Sequence, residues 1–302
     1  MDDTTHGMCD IMDEFNRGIN VNKDEYNRDE YNRDISVTET EDYKDFNVAD
    51  KEPIKEVNIS ENKFNRVTTG IEELDELISG GLPTNSITLI SGTAGSGKSI
   101  MCFQYMWEGL NKGERCLYLT SDERIESIIK QANELGFNFK QWMEQGKIKF
   151  LYLDLDKNNI HKEIAEEIRT GAYSRIALDS LTPFSELPVW VSGVHEIDPS
   201  EGTTKASKYP TGSIPATRLH IRRIMSLLNK ENCTAMVTSE IPEDSRNLSR
   251  DTISEFIVDG IILLDLDTTM DRRKLTVRKM RATKHTLKPH DIKITEGGIK
   301  FL

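Results

Sequence analysis

The chain has 302 residues, a formal net charge of -12, and 30% charged, 36% hydrophobic and 7% aromatic residues. That composition fits a soluble protein of one large or two small domains with a polar appendage, and no apolar stretch reaches the ~18 residues needed to span a bilayer. Four scattered cysteines, Cys9, Cys102, Cys116 and Cys233, form no CxxC pair, which speaks against a disulfide framework or zinc site and for a reduced, cytoplasmic setting.

Residues 1–65 hold 18 acids and 8 bases, and the remainder of the chain is nearly balanced at -2. The acidity therefore does not exclude an anionic ligand for the body. Within the first 64 residues "DEYNR" at Asp24–Arg28 recurs as Asp29–Arg33. A polar repeat of this kind buries no core, so 1–64 are expected to be a disordered acidic tail, or a segment that orders on a partner.

Order is predicted from about residue 65. "GIEELDELISGG" puts Ile71, Leu74, Leu77 and Ile78 on one helical face and stops at Gly80 and Gly81. "SITLIS" (Ser86–Ser91) reads as a buried strand, followed by a helix over 98–111 and a strand Cys116–Thr120. A helix over 123–134, a strand over 148–153 and a helix over 161–170 come next. The strand Arg175–Asp179, a helix over 216–229 and the strand Thr234–Ser239 complete the alternation. Strands alternating with helices predict an α/β fold with a mostly parallel central sheet. After Gly260–Leu266 the pattern becomes strand upon strand, which predicts an antiparallel C-terminal extension. Residues 188–215, rich in Pro, Gly, Ser and Thr, read as a long flexible insertion loop.

"GTAGSGKS" places Gly92, Thr93, Ala94, Gly95, Ser96, Gly97, Lys98 and Ser99 between an apolar strand and a helix, the context that a phosphate-cradling P-loop requires. The glycines let successive N–H groups face a phosphate chain, and the helix N-terminus favours an anion. Lys98 is expected to reach the β- and γ-phosphates of ATP, and the Ser99 hydroxyl to bind Mg²⁺. Asp179, closing an apolar strand, is the candidate acid behind the metal's water shell, with a plain turn residue as its alternative. In "YLTSDERIES" the Ser121 hydroxyl and the acids Asp122 and Glu123 read either as helix capping or as the group that polarises an attacking water.

Taken in order, "TTGIEELDELISGGLP", the P-loop, "YLTSDE", "RIALDSLT", "VTSE", "SEFIVDGIILL", "RKMRATKH" and "ITEGGIKF" resemble the KaiC-like branch of the RecA-type ATPases over roughly 66–302. The resemblance implies a RecA-like P-loop core, ATP hydrolysis, and a ring, commonly a hexamer, with ATP between subunits. It implies a catalytic pair at Asp122 and Glu123, with more weight on Glu123, since the family usually has two glutamates. It places Glu255 and Phe256 where the clock protein's autokinase domain carries its phosphoacceptors, so this chain looks more like the ATPase-only type. Autophosphorylation in the 188–215 loop stays open.

The basic run Arg272–His290 holds eight Lys or Arg residues and no acid. Simple strand alternation would point Leu275, Val277, Lys279 and Arg281 one way. The resemblance implies that Lys279 and Arg281 contact the γ-phosphate held by a neighbouring subunit's P-loop, where a solvated basic strand is the plainer reading. Nucleic acid is disfavoured as a partner. Residues 188–215 set Lys205 and Lys208 against Glu196, Asp198 and Glu201, with Trp190 and Tyr209 for stacking, and the 240–256 loop is net acidic. Glu240 stands where recombinases typically carry a glutamine nucleotide sensor. Rival functions are a recombinase-paralogue DNA-repair ATPase and a non-hydrolysing ATP-dependent scaffold for an unidentified protein partner.

Overall fold

The computed structural model describes residues 65–155, 157, 159–185, 216–243 and 245–302. The expected acidic tail and the 188–215 loop, with its two lysines and two aromatics, lie outside the described residues.

The chain opens with β1 (Arg66–Val67), α1 (Glu72–Leu77) and β2 (Leu82–Pro83), then enters β3 (Ile87–Gly92) and α2 (Lys98–Asn111). Next come β4 (Cys116–Thr120), α3 (Ile125–Glu134), α4 (Lys140–Glu144), β5 (Ile148–Tyr152), α5 (Ile160–Gly171) and β6 (Arg175–Asp179). A 3-10 turn at Thr182–Ser185 precedes α6 (Ala216–Lys230), β7 (Thr234–Glu240) and α7 (Ser254–Ile257). The chain ends in β8 (Gly260–Asp267), β9 (Arg272–Met280), β10 (His290–Thr295) and β11 (Gly298–Phe301). Nine strands form one sheet in the order β11-β10-β9-β8-β3-β7-β6-β4-β5. Strands β8, β3, β7, β6, β4 and β5 run parallel, and β9, β10 and β11 add on antiparallel beyond β8. The predicted α/β class and the switch of pairing after β8 are both present.

Alternation along the central strands assigns side chains to two cores. Ile90 and Tyr118 join α2 residues such as Met101 and Phe103 on one face. Ile87, Leu89, Leu117 and Leu119 face the other, packing with Ile164 of α5 and Ile221 of α6. Each face of β3 is covered, which is why its sequence is apolar or small throughout.

Two expectations fail here. The helix expected from residue 123 begins at Ile125, and its flanking residue Arg124 makes no side-chain cap. Ser121 does not cap it, because its hydroxyl donates to the Ser180 carbonyl at 3.3 Å, a tertiary partner that replaces the local one. Strand alternation is also broken in β9. Ile261 pairs with Lys279 and Ile262 with Val277, so Arg278 is an extra residue at a β-bulge. Parity flips there. Leu275, Val277 and Met280 share the α2-side core, and Lys279 points to the opposite face.

On the α5–α6 side, the rings of His161 and His220 meet at 3.0 Å between Nε2 and Nδ1, both nearly inaccessible to solvent. Burial, then the neighbouring His220 and Arg223, pushes the His161 imidazole down to about 4. The unfolded chain takes up this proton near pH 6.5, whereas the folded chain refuses it until about pH 4. Stability from this site is therefore complete above pH ~6.5 and is lost as pH falls toward 4, by up to about 3 kcal/mol. Urea unfolding between pH 8 and 4.5 checks this. The parent should lose more stability on acidification than His161→Leu, and parallel profiles would count against it.

Candidate nucleotide site

The P-loop joins the C-terminal end of β3 to the N-terminus of α2. Gly97, at the helix start, has φ +110°, a left-handed conformation that a side chain would strain. A Cβ on Gly92 would collide with Ser96 Oγ and the Leu264 carbonyl. The loop is thereby wound tightly, with the first N–H groups of a 14-residue helix unbonded by any side-chain cap. Ser96 Oγ is buried with no hydrogen-bond partner.

Lys98 is 8% exposed and curls over the loop, its Nζ donating to the carbonyls of Gly92 at 3.0 Å and Thr93 at 2.9 Å. The Glu240 carboxylate lies 3.8 Å away. Burial lowers the ammonium's proton affinity, and Glu240 and then Asp179 act against that. A buried cation held by carbonyls, beside an open helix N-terminus, is a place for an anion.

Facing it are the acids. Asp179 closes β6 and accepts hydrogen bonds from Tyr118 Oη at 2.7 Å and Thr238 Oγ1 at 2.5 Å. Asp122 accepts from Ser180 Oγ at 2.7 Å. Burial raises the Asp122 carboxyl's proton affinity, the Ser180 bond opposes this, and the nearby acids Asp179, Glu240 and Glu123 reinforce it. Glu123 accepts from Gln131 Nε2 at 2.5 Å and Ser127 Oγ at 3.4 Å. Ala94, Gly95, Gly97, Lys98, Ser99, Asp122, Glu123, Asp179 and Glu240 all line one cleft of about 310 Å³. Ser99, Asp122, Glu123, Asp179 and Glu240 bring hydroxyl and carboxylate oxygens to it, the hard oxygen set that suits Mg²⁺. The residues thus fit a magnesium-bound polyphosphate. Gly92, Thr93 and Ser96 belong to the same loop but are not among the residues that line the cleft.

Lys279 and Arg281 are not in this cleft. Lys279 Nζ donates to the carbonyls of Val258 at 2.6 Å and Glu255 at 3.1 Å, at the end of α7. Burial, then the Arg281 charge, lowers its proton affinity, against Asp259 and Glu255. Arg281 pairs with Asp259 at 3.0 Å, and the other Asp259 oxygen accepts the N–H of Ile87 at 3.0 Å. Ile87 begins β3 and Gly92 ends it. The cation pair and the P-loop therefore occupy opposite ends of one strand, roughly 17 Å apart at ~3.3 Å per residue.

The sequence reading missed Arg273, at the other end of β9, whose Nε donates to the Gly95 carbonyl at 3.4 Å. Antiparallel return of β9 against β8, pairing Arg273 with Leu266, carries this residue to the P-loop end of the sheet. A register drawn for the two strands would have found it. Asp259, the anchor of Arg281, was missed as well.

Residues 67–189 and 207–302 match the family described as "ATPase: KaiC". The gap between those two ranges falls inside the 188–215 segment. A UPF0273 protein of Methanopyrus kandleri is 31% identical over 247 residues, 78% of this chain and 91% of the relative. Another from Methanocaldococcus jannaschii is 32% identical over 241 residues, 78% of this chain and 95% of its own. Circadian clock protein KaiC3 of Synechocystis is 28% identical over 73% of this chain, which spans only 42% of that protein. Among solved structures, a KaiC-like protein of Pyrococcus horikoshii superposes with a TM-score of 0.64 at 26% identity, covering 79% of this chain and 99% of the other. A P-loop on a mostly parallel sheet with antiparallel C-terminal strands, a family match over both parts of the body and relatives matched over more than nine-tenths of their own length place this chain in the KaiC family of RecA-type P-loop ATPases.

Proposed function

We propose that residues 65–302 are a cytoplasmic ATPase domain that binds Mg²⁺-ATP and hydrolyses it at the interfaces of a closed ring, commonly six copies, whose nucleotide state regulates a protein partner. The observation that carries the shared site is the separation of Lys279 and Arg281 from the P-loop by the length of β3. Cations so placed cannot serve their own cleft, whereas an adjacent copy can present them to it. No helix among the described residues is long and apolar enough to cross a membrane.

In this reading Lys98 binds the β- and γ-phosphates, the 92–99 loop cradles them through backbone N–H groups, and Arg273 stiffens the loop at Gly95. Ser99 and Asp179 hold Mg²⁺, which when bound offsets phosphate charge. Glu123 takes a proton from the attacking water, Asp122 supports it, and Glu240 senses the nucleotide through Lys98. The neighbour's Arg281 and Lys279 balance charge on the departing γ-phosphoryl group.

Sedimentation and ATP binding test the proposal together. The parent chain with Mg²⁺-ATP should bind nucleotide, release phosphate and sediment as a closed oligomer. Lys98→Ala should weaken ATP binding on the order of 100-fold, because it removes the buried partner of the phosphates. A parent that binds ATP tightly without releasing phosphate would favour the scaffold reading. Salt-sensitive retention of single-stranded DNA would favour the repair reading.

A further inference from the structure

Strand β6 lies between β7 and β4 in the sheet, and each neighbour sends one hydroxyl to its terminal acid. Thr238 of β7 donates to Asp179 Oδ1 at 2.5 Å, and Tyr118 of β4 to Oδ2 at 2.7 Å. A carboxylate accepts about four hydrogen bonds, so each oxygen keeps one direction free. The Tyr118 ring is fully buried, stacked on Phe150 with centroids 5.2 Å apart and tilted against Phe103 at 5.7 Å. Phenylalanine would fill that space equally well, and a buried hydroxyl is costly unless bonded. The carboxylate so held makes no ion pair with Lys98, whose acidic partner is Glu240.

We propose that Tyr118 and Thr238 are positioning residues, a hydroxyl clamp reaching in from both flanking strands that fixes the Asp179 carboxylate toward the cleft and sets its affinity for a divalent cation beside bound nucleotide. This rests on the reading of Asp179 as the metal-side acid. The clamp gives each oxygen one donor, so neither can rotate toward Lys98 without losing a bond. A metal ion then meets an acid already oriented, and no ordering cost is incurred on binding.

The test uses Mn²⁺ as the probe, titrated by electron paramagnetic resonance against the full chain saturated with the non-hydrolysable analogue β,γ-imido-ATP. Tyr118→Phe and Thr238→Val should each weaken Mn²⁺ binding about 10-fold, and Thr238→Ser should restore it. Affinity for the analogue in EDTA should match the parent in all three, a readout that general loosening of the fold would not spare. Tyr118→Phe binding Mn²⁺ like a competent parent overturns the clamp. So does a loss of analogue affinity in EDTA equal to the loss of Mn²⁺ affinity. If instead Asp179→Asn binds Mn²⁺ as well as the parent, or the parent shows no nucleotide-dependent Mn²⁺ binding, the assignment of Asp179 itself fails.

Discussion

Glu123→Gln is expected to bind ATP as the parent does while its turnover falls by about 10²- to 10⁴-fold, the range for loss of a general base. The substitution keeps the side chain's size and the hydrogen-bonding reach toward Gln131 and Ser127, but an amide does not take a proton from water. Asp122→Asn should cost less. Its carboxylate accepts from Ser180, and burial raises its proton affinity, which weakens it as a point of negative charge. Single-turnover hydrolysis with saturating Mg²⁺-ATP separates the two. Turnover by Glu123→Gln within a few-fold of the parent, or a larger loss in Asp122→Asn, would reverse the assignment.

The second large effect lies at the far end of β3. Arg281→Ala should lower turnover by ~10³-fold, as expected for a cation supplied in trans to a transferring phosphoryl group. The mutation also frees Asp259, which keeps its bond from the Ile87 N–H. The deciding experiment mixes Arg281→Ala with Glu123→Gln in equal amounts. Each copy retains what the other lacks, so in a head-to-tail ring roughly a quarter of the interfaces regain both groups. Activity near a quarter of the parent is the expected result. Mixtures no more active than either variant alone, with subunit exchange verified by mass, would sink the shared site.

Much of this architecture is carried by local pattern. The P-loop is legible because its glycines, lysine and serine are contiguous and its flanks have opposite periodicities. The parallel sheet is legible because strands buried on both faces, such as β3 and β4, are runs of mainly apolar and small residues with no charge. What escaped depends on partners distant in sequence. Ser121 carries every local mark of a helix cap, yet the Ser180 carbonyl takes its hydroxyl. The bulge at Arg278 has no glycine or turn residue to announce it and follows from the register with β8, so alternation put Lys279 on the wrong face. Tyr118 looks like one more aromatic in a core strand until β6 is set beside β4, which brings its hydroxyl to Asp179.

In the proposed shared site, giver and receiver lie at opposite ends of β3, which gives an assembly built on that site a polarity. A line of copies joined this way has a first member whose cations serve no one and a last whose cleft is never completed. Such a line of n copies holds n - 1 whole sites, and only closing it makes the count equal. Closure by one further subunit would therefore be felt as activity, and loss of a single copy would silence two sites, the one it filled and the one it helped.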